Sequence, residues 1–342
     1  MFEAAISWFL GMGATAFFVA GTLAPLETMT WWAGHHAVPR RWRRHQGALS
    51  ANSPVHYIVY LGGIDSVDGR VHTPYERPLL EALKSKLGGV GRIVTVFPYA
   101  ASGTALLGGA RFFRWLWRAL ERMRATRPSV LTSLINARNF FQLLVSADRR
   151  YGPIFNDALA SLILEALQDA GWSARQPPQR LTMIGYSGGA QMAIGAAAFL
   201  ARRWRGPIGV ISIGGTIIAP AGLDYVDRFD HLTGDDDLAL RASVLMCAAR
   251  WPIALRSPWR RAKRDGRLHI VQLGHIGHTG AHGYLGQATQ PGAFKSNFAI
   301  TLDATLASLT RPLPPRARRG RFAQRPPNLE ARTAAEQTDR MP

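Results

Sequence analysis

Short apolar runs alternate along this chain with stretches whose apolar residues recur at helical spacing. His56–Leu61 (HYIVYL) is almost wholly apolar and stops at Gly62-Gly63. A run of that length without polar alternation predicts a strand buried on both faces, as in a parallel sheet. Arg92–Phe97, Arg180–Ile184, Ile208–Ile213 and Leu268–Leu273 predict four more. Arg77–Leu87, halted by Gly88-Gly89, predicts a helix. So do Leu131–Val145, Ile154–Ala170, Gly188–Arg203 and Phe298–Leu309. Strands that alternate with helices imply parallel pairing. The expected fold class is therefore α/β, a doubly wound, mostly parallel sheet over residues 55–310.

A different apolar run opens the chain. Ala4–Leu26 carries no charge and is long enough for a helix to cross a hydrocarbon core of about 30 Å. Trp31 and Trp32 follow, where interfacial aromatics tend to sit. A cleaved signal peptide would want basic residues first, yet the run is preceded by Met-Phe-Glu. Arg40, Arg41, Arg43 and Arg44 come after it and put the C-terminal side in the cytoplasm. Residues 1–32 are thus expected to form an uncleaved transmembrane helix, a single-pass anchor in the inner membrane, with 33–54 a basic linker and the main domain cytoplasmic. A buried N-terminal helix is the alternative.

Residues 101–155 exceed what a crossover needs and read as a helical, lid-like insertion. Within it, Arg114, Arg118 and Arg122 share one face of a predicted helix over 112–124, and Phe113, Leu116, Trp117 and Leu120 line another. Such a helix either lies on anionic lipid or packs its aromatics on the domain. Residues 311–342, rich in proline and arginine, are expected to be a disordered tail.

Composition narrows the partners. Of 342 residues 47% are hydrophobic, enough for a full core, and the formal charge is +19. The basic residues are spread over several segments and no nucleic-acid module accompanies them, so a membrane surface is favoured over nucleic acid as the anionic partner. Cys247 stands alone, which excludes an intrachain disulfide and a cysteine-based metal site. No nucleotide fingerprint follows an early strand, so no cofactor is implied.

The chemistry gathers at Gly185-Tyr186-Ser187-Gly188-Gly189, between a predicted strand and a predicted helix. A sharp turn there lifts a serine above the sheet, and the following helix start offers unpaired N–H groups to a developing oxyanion. In this motif the chain resembles the α/β-hydrolase superfamily over about residues 55–310. That resemblance implies a triad in chain order Ser, acid, His. The acid would lie in the turn after a further strand, matched by Phe229–Asp237, where Gly234-x-x-Asp selects Asp237, with Asp236 as the alternative. The histidine would follow the last strand. His278 is selected, flanked by small residues four positions past Gly274, with His282 and His275 as alternatives. The oxyanion donors would be the N–H groups of Gly188 and of the Gly62-Gly63-Ile64 loop, so Gly63 and Ile64 are both candidates. Three histidines so close together also raise a zinc site with Asp237, but that would leave the serine turn unexplained. The implied activity is acyl-enzyme hydrolysis of a carboxylic ester, small or lipid-like. A non-catalytic membrane-tethered scaffold and an acyltransferase on the same triad are the competing readings.

Overall fold

The computed structural model describes residues 56–66, 72–100 and 130–313, together with the single position Gly21. The remainder of the expected anchor and linker, the predicted helix over 112–124 and the tail beyond 313 lie outside the described residues. No helix among the described residues is long and apolar enough to cross a membrane.

Among the described residues six strands form one sheet: β1 (His56–Leu61), β2 (Gly91–Val96), β3 (Arg180–Tyr186), β4 (Ile208–Ile213), β5 (Arg228–Thr233) and β6 (Leu268–Gln272). The order is β2-β1-β3-β4-β5-β6 and every pairing is parallel. The helices that frame the sheet are α1 (Glu76–Leu87), α2 (Val130–Ala147), α3 (Gly152–Asp169), α4 (Gly188–Arg203), α5 (Leu238–Met246), α6 (Pro258–Arg264) and α7 (Asn297–Thr310). The expected doubly wound α/β sheet is the one present.

The period-two geometry of a strand splits the core into two layers. Tyr57, Val59 and Leu61 of β1 face one layer with Leu181 and Met183 of β3, packed beneath α2, α3 and α4. Ile58 and Tyr60 face the other with Ile184 and Tyr186, packed beneath α1 and α7. Each large side chain buried this way stabilises the fold by about 1.5–3 kcal/mol. The described part of the expected insertion belongs to this body. Ile135, Leu143 and Val145 of α2 are buried in the first layer, and α3 continues it through Phe155 and Leu159.

Chain order reverses between β1 and β3. The chain leaves β1 outward to β2 and returns on β1's other side as β3. In open parallel sheets such a switch point opens a crevice at the carboxyl ends of the strands. The Gly62–Ser66 loop leaves β1 there, and Ser187 leaves β3 there.

Candidate active site

Ser187 connects β3 to α4 at φ 51° and is the only described non-glycine residue with positive φ. A backbone of this kind costs on the order of 1–3 kcal/mol and persists only where its surroundings impose it. Here the Ser187 N–H donates to Ile213 O at 3.0 Å, and its carbonyl accepts from Thr216 N at 3.1 Å and Ala190 N at 3.2 Å. Flanking glycines make the turn passable. A Cβ at Gly185 would stand 2.5 Å from the Ala190 backbone, and one at Gly189 would stand 2.2 Å from Leu61 O.

The Ser187 side chain heads a chain of two partners from distant loops. Ser187 Oγ lies 2.8 Å from His278 Nε2, and His278 Nδ1 lies 2.9 Å from Asp237 Oδ2. A carboxylate can only accept, so Nδ1 carries the proton and Nε2 faces the serine hydroxyl as an acceptor. Asp237 is fully buried. Burial alone would raise its pKa, but the hydrogen bond and charge of His278, the Leu240 N–H and the Tyr284 hydroxyl outweigh it, and the carboxyl titrates below its usual value. Its Oδ1 meanwhile accepts from Leu240 N at 2.8 Å, capping α5.

Two tyrosines brace the Asp237–His278 pair. Tyr284 donates to Asp237 Oδ2 at 2.9 Å and accepts from Gly234 N at 2.7 Å. Tyr186 stacks on the His278 ring, centroids 6.2 Å apart at 15°, and donates to the His278 carbonyl at 3.0 Å. Burial raises the pKa of both phenols, which keeps them protonated as donors.

The opposite flank is the Gly62–Ser66 loop. The expectation that Gly63 donates to an oxyanion is corrected here: its N–H is engaged by Glu76 Oε1 at 3.2 Å. Ile64 N–H has no acceptor among the described residues, and the Ile64 side chain lies against Gly188, where a Cβ would meet it at 2.9 Å. Gly188 is the first residue of α4, so its N–H has no carbonyl four residues earlier in the helix to serve. Leu143 and the Tyr99 hydroxyl crowd the same space, each 2.8 Å from that hypothetical Cβ.

The alternative residues stand elsewhere. His275 pairs with Asp236 at 3.5 Å, both more than half exposed. With His282 they line a separate open cavity of about 600 Å³ alongside Gln290. No three His, Cys, Asp or Glu side chains among the described residues gather as metal ligands would. Sequence reasoning missed Tyr284, Tyr186, Tyr99 and Glu76. Only Glu76 carried a local signal, the Thr73-x-x-Glu76 spacing of a capping box.

No family model matches this chain, and no curated protein matches it. Among solved structures it is similar to a dienelactone hydrolase from Anabaena variabilis, at 16% identity and TM-score 0.39 over 75% of this chain and 86% of that one. It is similar to esterase PE8, at 17% identity and TM-score 0.38 over 75% and 92%. A poly(3-hydroxybutyrate) depolymerase from Bordetella parapertussis gives 14% and 0.36 over 76% and 82%. Likeness this distant extends to neither substrate nor mechanism.

Proposed function

We propose that this chain is a serine hydrolase of the α/β-hydrolase type that cleaves carboxylic esters through an acyl-enzyme. One observation carries the reading: an unbroken relay from Ser187 Oγ through His278 to buried Asp237, built on a serine held at positive φ. Ser187 Oγ attacks the ester carbonyl as His278 Nε2 takes its proton. Asp237 holds the imidazole tautomer and offsets the imidazolium charge without taking the proton. The N–H groups of Gly188 and Ile64 receive the oxyanion. His278 then protonates the leaving alcohol, and water attacks the acyl-enzyme by the same route reversed.

The acyl side of the substrate is apolar in this reading, since Leu143 and Ile64 lie beside Gly188. A lipid-like ester fits those walls and the uncharged Ala4–Leu26 run, which supports an inner-membrane anchor with the catalytic domain in the cytoplasm. A C-terminal alkaline phosphatase fusion should be inactive in a Gram-negative host and a fluorescent fusion bright; the reverse result overturns that topology. For the activity itself, p-nitrophenyl esters from acetate to palmitate should be hydrolysed, with kcat/KM rising with acyl length and lost in Ser187→Ala. Absence of turnover across the whole series overturns the esterase reading.

A further inference from the structure

Glu76 is a carboxylate with 1% of its surface exposed, and no cation pairs with it among the described residues. Burying a carboxylate is costly unless hydrogen bonds replace its water. Four neutral donors do so. Oε2 accepts from the Thr73 hydroxyl at 2.7 Å and from Thr73 N at 3.3 Å. Glu76 N donates back to Thr73 Oγ1 at 3.4 Å. These are the reciprocal bonds of a capping box and account for one oxygen only. Oε1 accepts from the Tyr60 hydroxyl at 2.9 Å and from Gly63 N at 3.2 Å. A capping residue needs neither.

The second oxygen belongs to a set of bonds that fixes one loop. Tyr99 donates to Gly62 O at 3.1 Å. Ser66 N donates to Gly63 O at 3.0 Å. Asn139 Nδ2, on fully buried Asn139, donates to Ile64 O at 2.7 Å and Ser66 O at 2.8 Å. The Gly63–Ile64 peptide is thus gripped through its carbonyl and through the atoms on either side, while its own N–H has no acceptor among the described residues. Tyr60 ties the carboxylate to β1, and Thr73 ties it to the start of α1.

We propose that Glu76 is a positioning residue that aims the Ile64 N–H at the oxyanion by holding Gly63 N. This rests on the reading of the site as a serine hydrolase. The work is geometric and not electrostatic, because a negative charge so near a developing oxyanion cannot favour it through space. An acceptor oxygen at the Oε1 position is what matters, and a neutral one serves.

The test compares Glu76→Ala, Glu76→Gln and Thr73→Val in the full chain with a p-nitrophenyl ester and with a phenylboronic acid, which forms a tetrahedral adduct on the nucleophilic serine. Glu76→Ala should lose roughly 10²-fold in kcat with KM changed little, the scale expected when a catalytic donor is misplaced by about 1 Å. Affinity for the boronic acid should fall in proportion to kcat/KM. Glu76→Gln should regain most of that turnover while melting lower than the wild type, because its amide nitrogen faces the Thr73 N–H. Thr73→Val removes the capping partner and should melt lower with kcat nearly unchanged. If both Glu76 variants keep wild-type kcat, or if Thr73→Val loses as much turnover as Glu76→Ala, Glu76 is only a helix cap and the proposal fails. A wild type inert to ester, boronic acid and fluorophosphonate alike would instead overturn the hydrolase reading beneath it.

Discussion

Two buried carboxylates flank the nucleophile, and they are built alike. Asp237 uses one oxygen to cap α5 and the other to hold His278. Glu76 uses one oxygen to close the entry of α1 and the other to hold the Gly63 peptide. They differ in what the held group becomes. His278 turns cationic during the proposed reaction, so the charge of Asp237 stabilises the transition state directly. Gly63 N stays neutral, so the charge of Glu76 brings no such gain. A helix start that must be capped anyway can therefore carry a functional side chain in two ways, one needing charge and one needing only an acceptor.

The reference point for that comparison is the nucleophile itself. Ser187→Ala and His278→Ala should each lower kcat on the order of 10⁶-fold, since nucleophile and base act as a unit. Asp237→Asn should cost on the order of 10⁴-fold, because an amide presents the wrong partner to the His278 tautomer. The isosteric Glu76→Gln should leave most turnover in place, although it makes the same atomic change. Equal losses in the two amide variants, read from steady-state kcat, would erase the distinction between the carboxylates.

Tyr284→Phe sharpens the comparison at smaller scale. It removes one of the hydrogen bonds that keep the Asp237 pKa low and orphans Gly234 N, and should cost about 1 kcal/mol, or about fivefold in kcat. A loss as large as that of Asp237→Asn would mean that the phenol and not the carboxylate orients His278.

Acid stability turns instead on two histidines buried as neutral rings. His56 bonds Thr182 Oγ1 at 2.8 Å and His231 bonds Ser212 Oγ at 2.9 Å. Burial, with nearby arginines, lowers each from 6.5 to about 3. Below pH 6.5 the unfolded chain takes up protons that the folded chain refuses. Stability is therefore complete above that value and declines toward pH 3, by at most about 1.4 kcal/mol per pH unit for each ring. Replacing His231 by Leu should flatten the slope of unfolding free energy against pH in that window, measured by urea titration. An unchanged slope would show that the ring does not stay neutral in the fold.

Much of this was legible in the sequence because its causes are local. The strand over Ile208–Ile213 and the helix over Gly188–Arg203 have the bounds that the apolar pattern predicted. The predicted strand over Arg180–Ile184 runs on to Tyr186, because Gly185 and Tyr186 still pair with Ser212 and Ile213. β5 escaped the pattern altogether. Its RFDHLT sequence buries Asp230 against Arg228 at 2.8 Å and His231 against Ser212, so polar residues stand where an apolar run was sought. Ser187 and Asp237, 50 positions apart in the chain, both reach His278. The residues that hold them were hidden by distance: Tyr284 reaches Asp237 from 47 positions away, and Asn139 reaches Ile64 from 75. Thr73-x-x-Glu76 announced a cap, but nothing local told that its second oxygen would serve Gly63.

The central claim is that Ser187 is a nucleophile activated by this relay, and covalent labelling tests it most directly. The full chain would be treated with a fluorophosphonate, and its intact mass and the modified peptide determined alongside Ser187→Ala and His278→Ala. The account predicts one stoichiometric adduct on Ser187 in the wild type, none in Ser187→Ala, and labelling slowed by several orders of magnitude in His278→Ala. An unlabelled wild type, or an adduct that persists on another residue in Ser187→Ala, would contradict it.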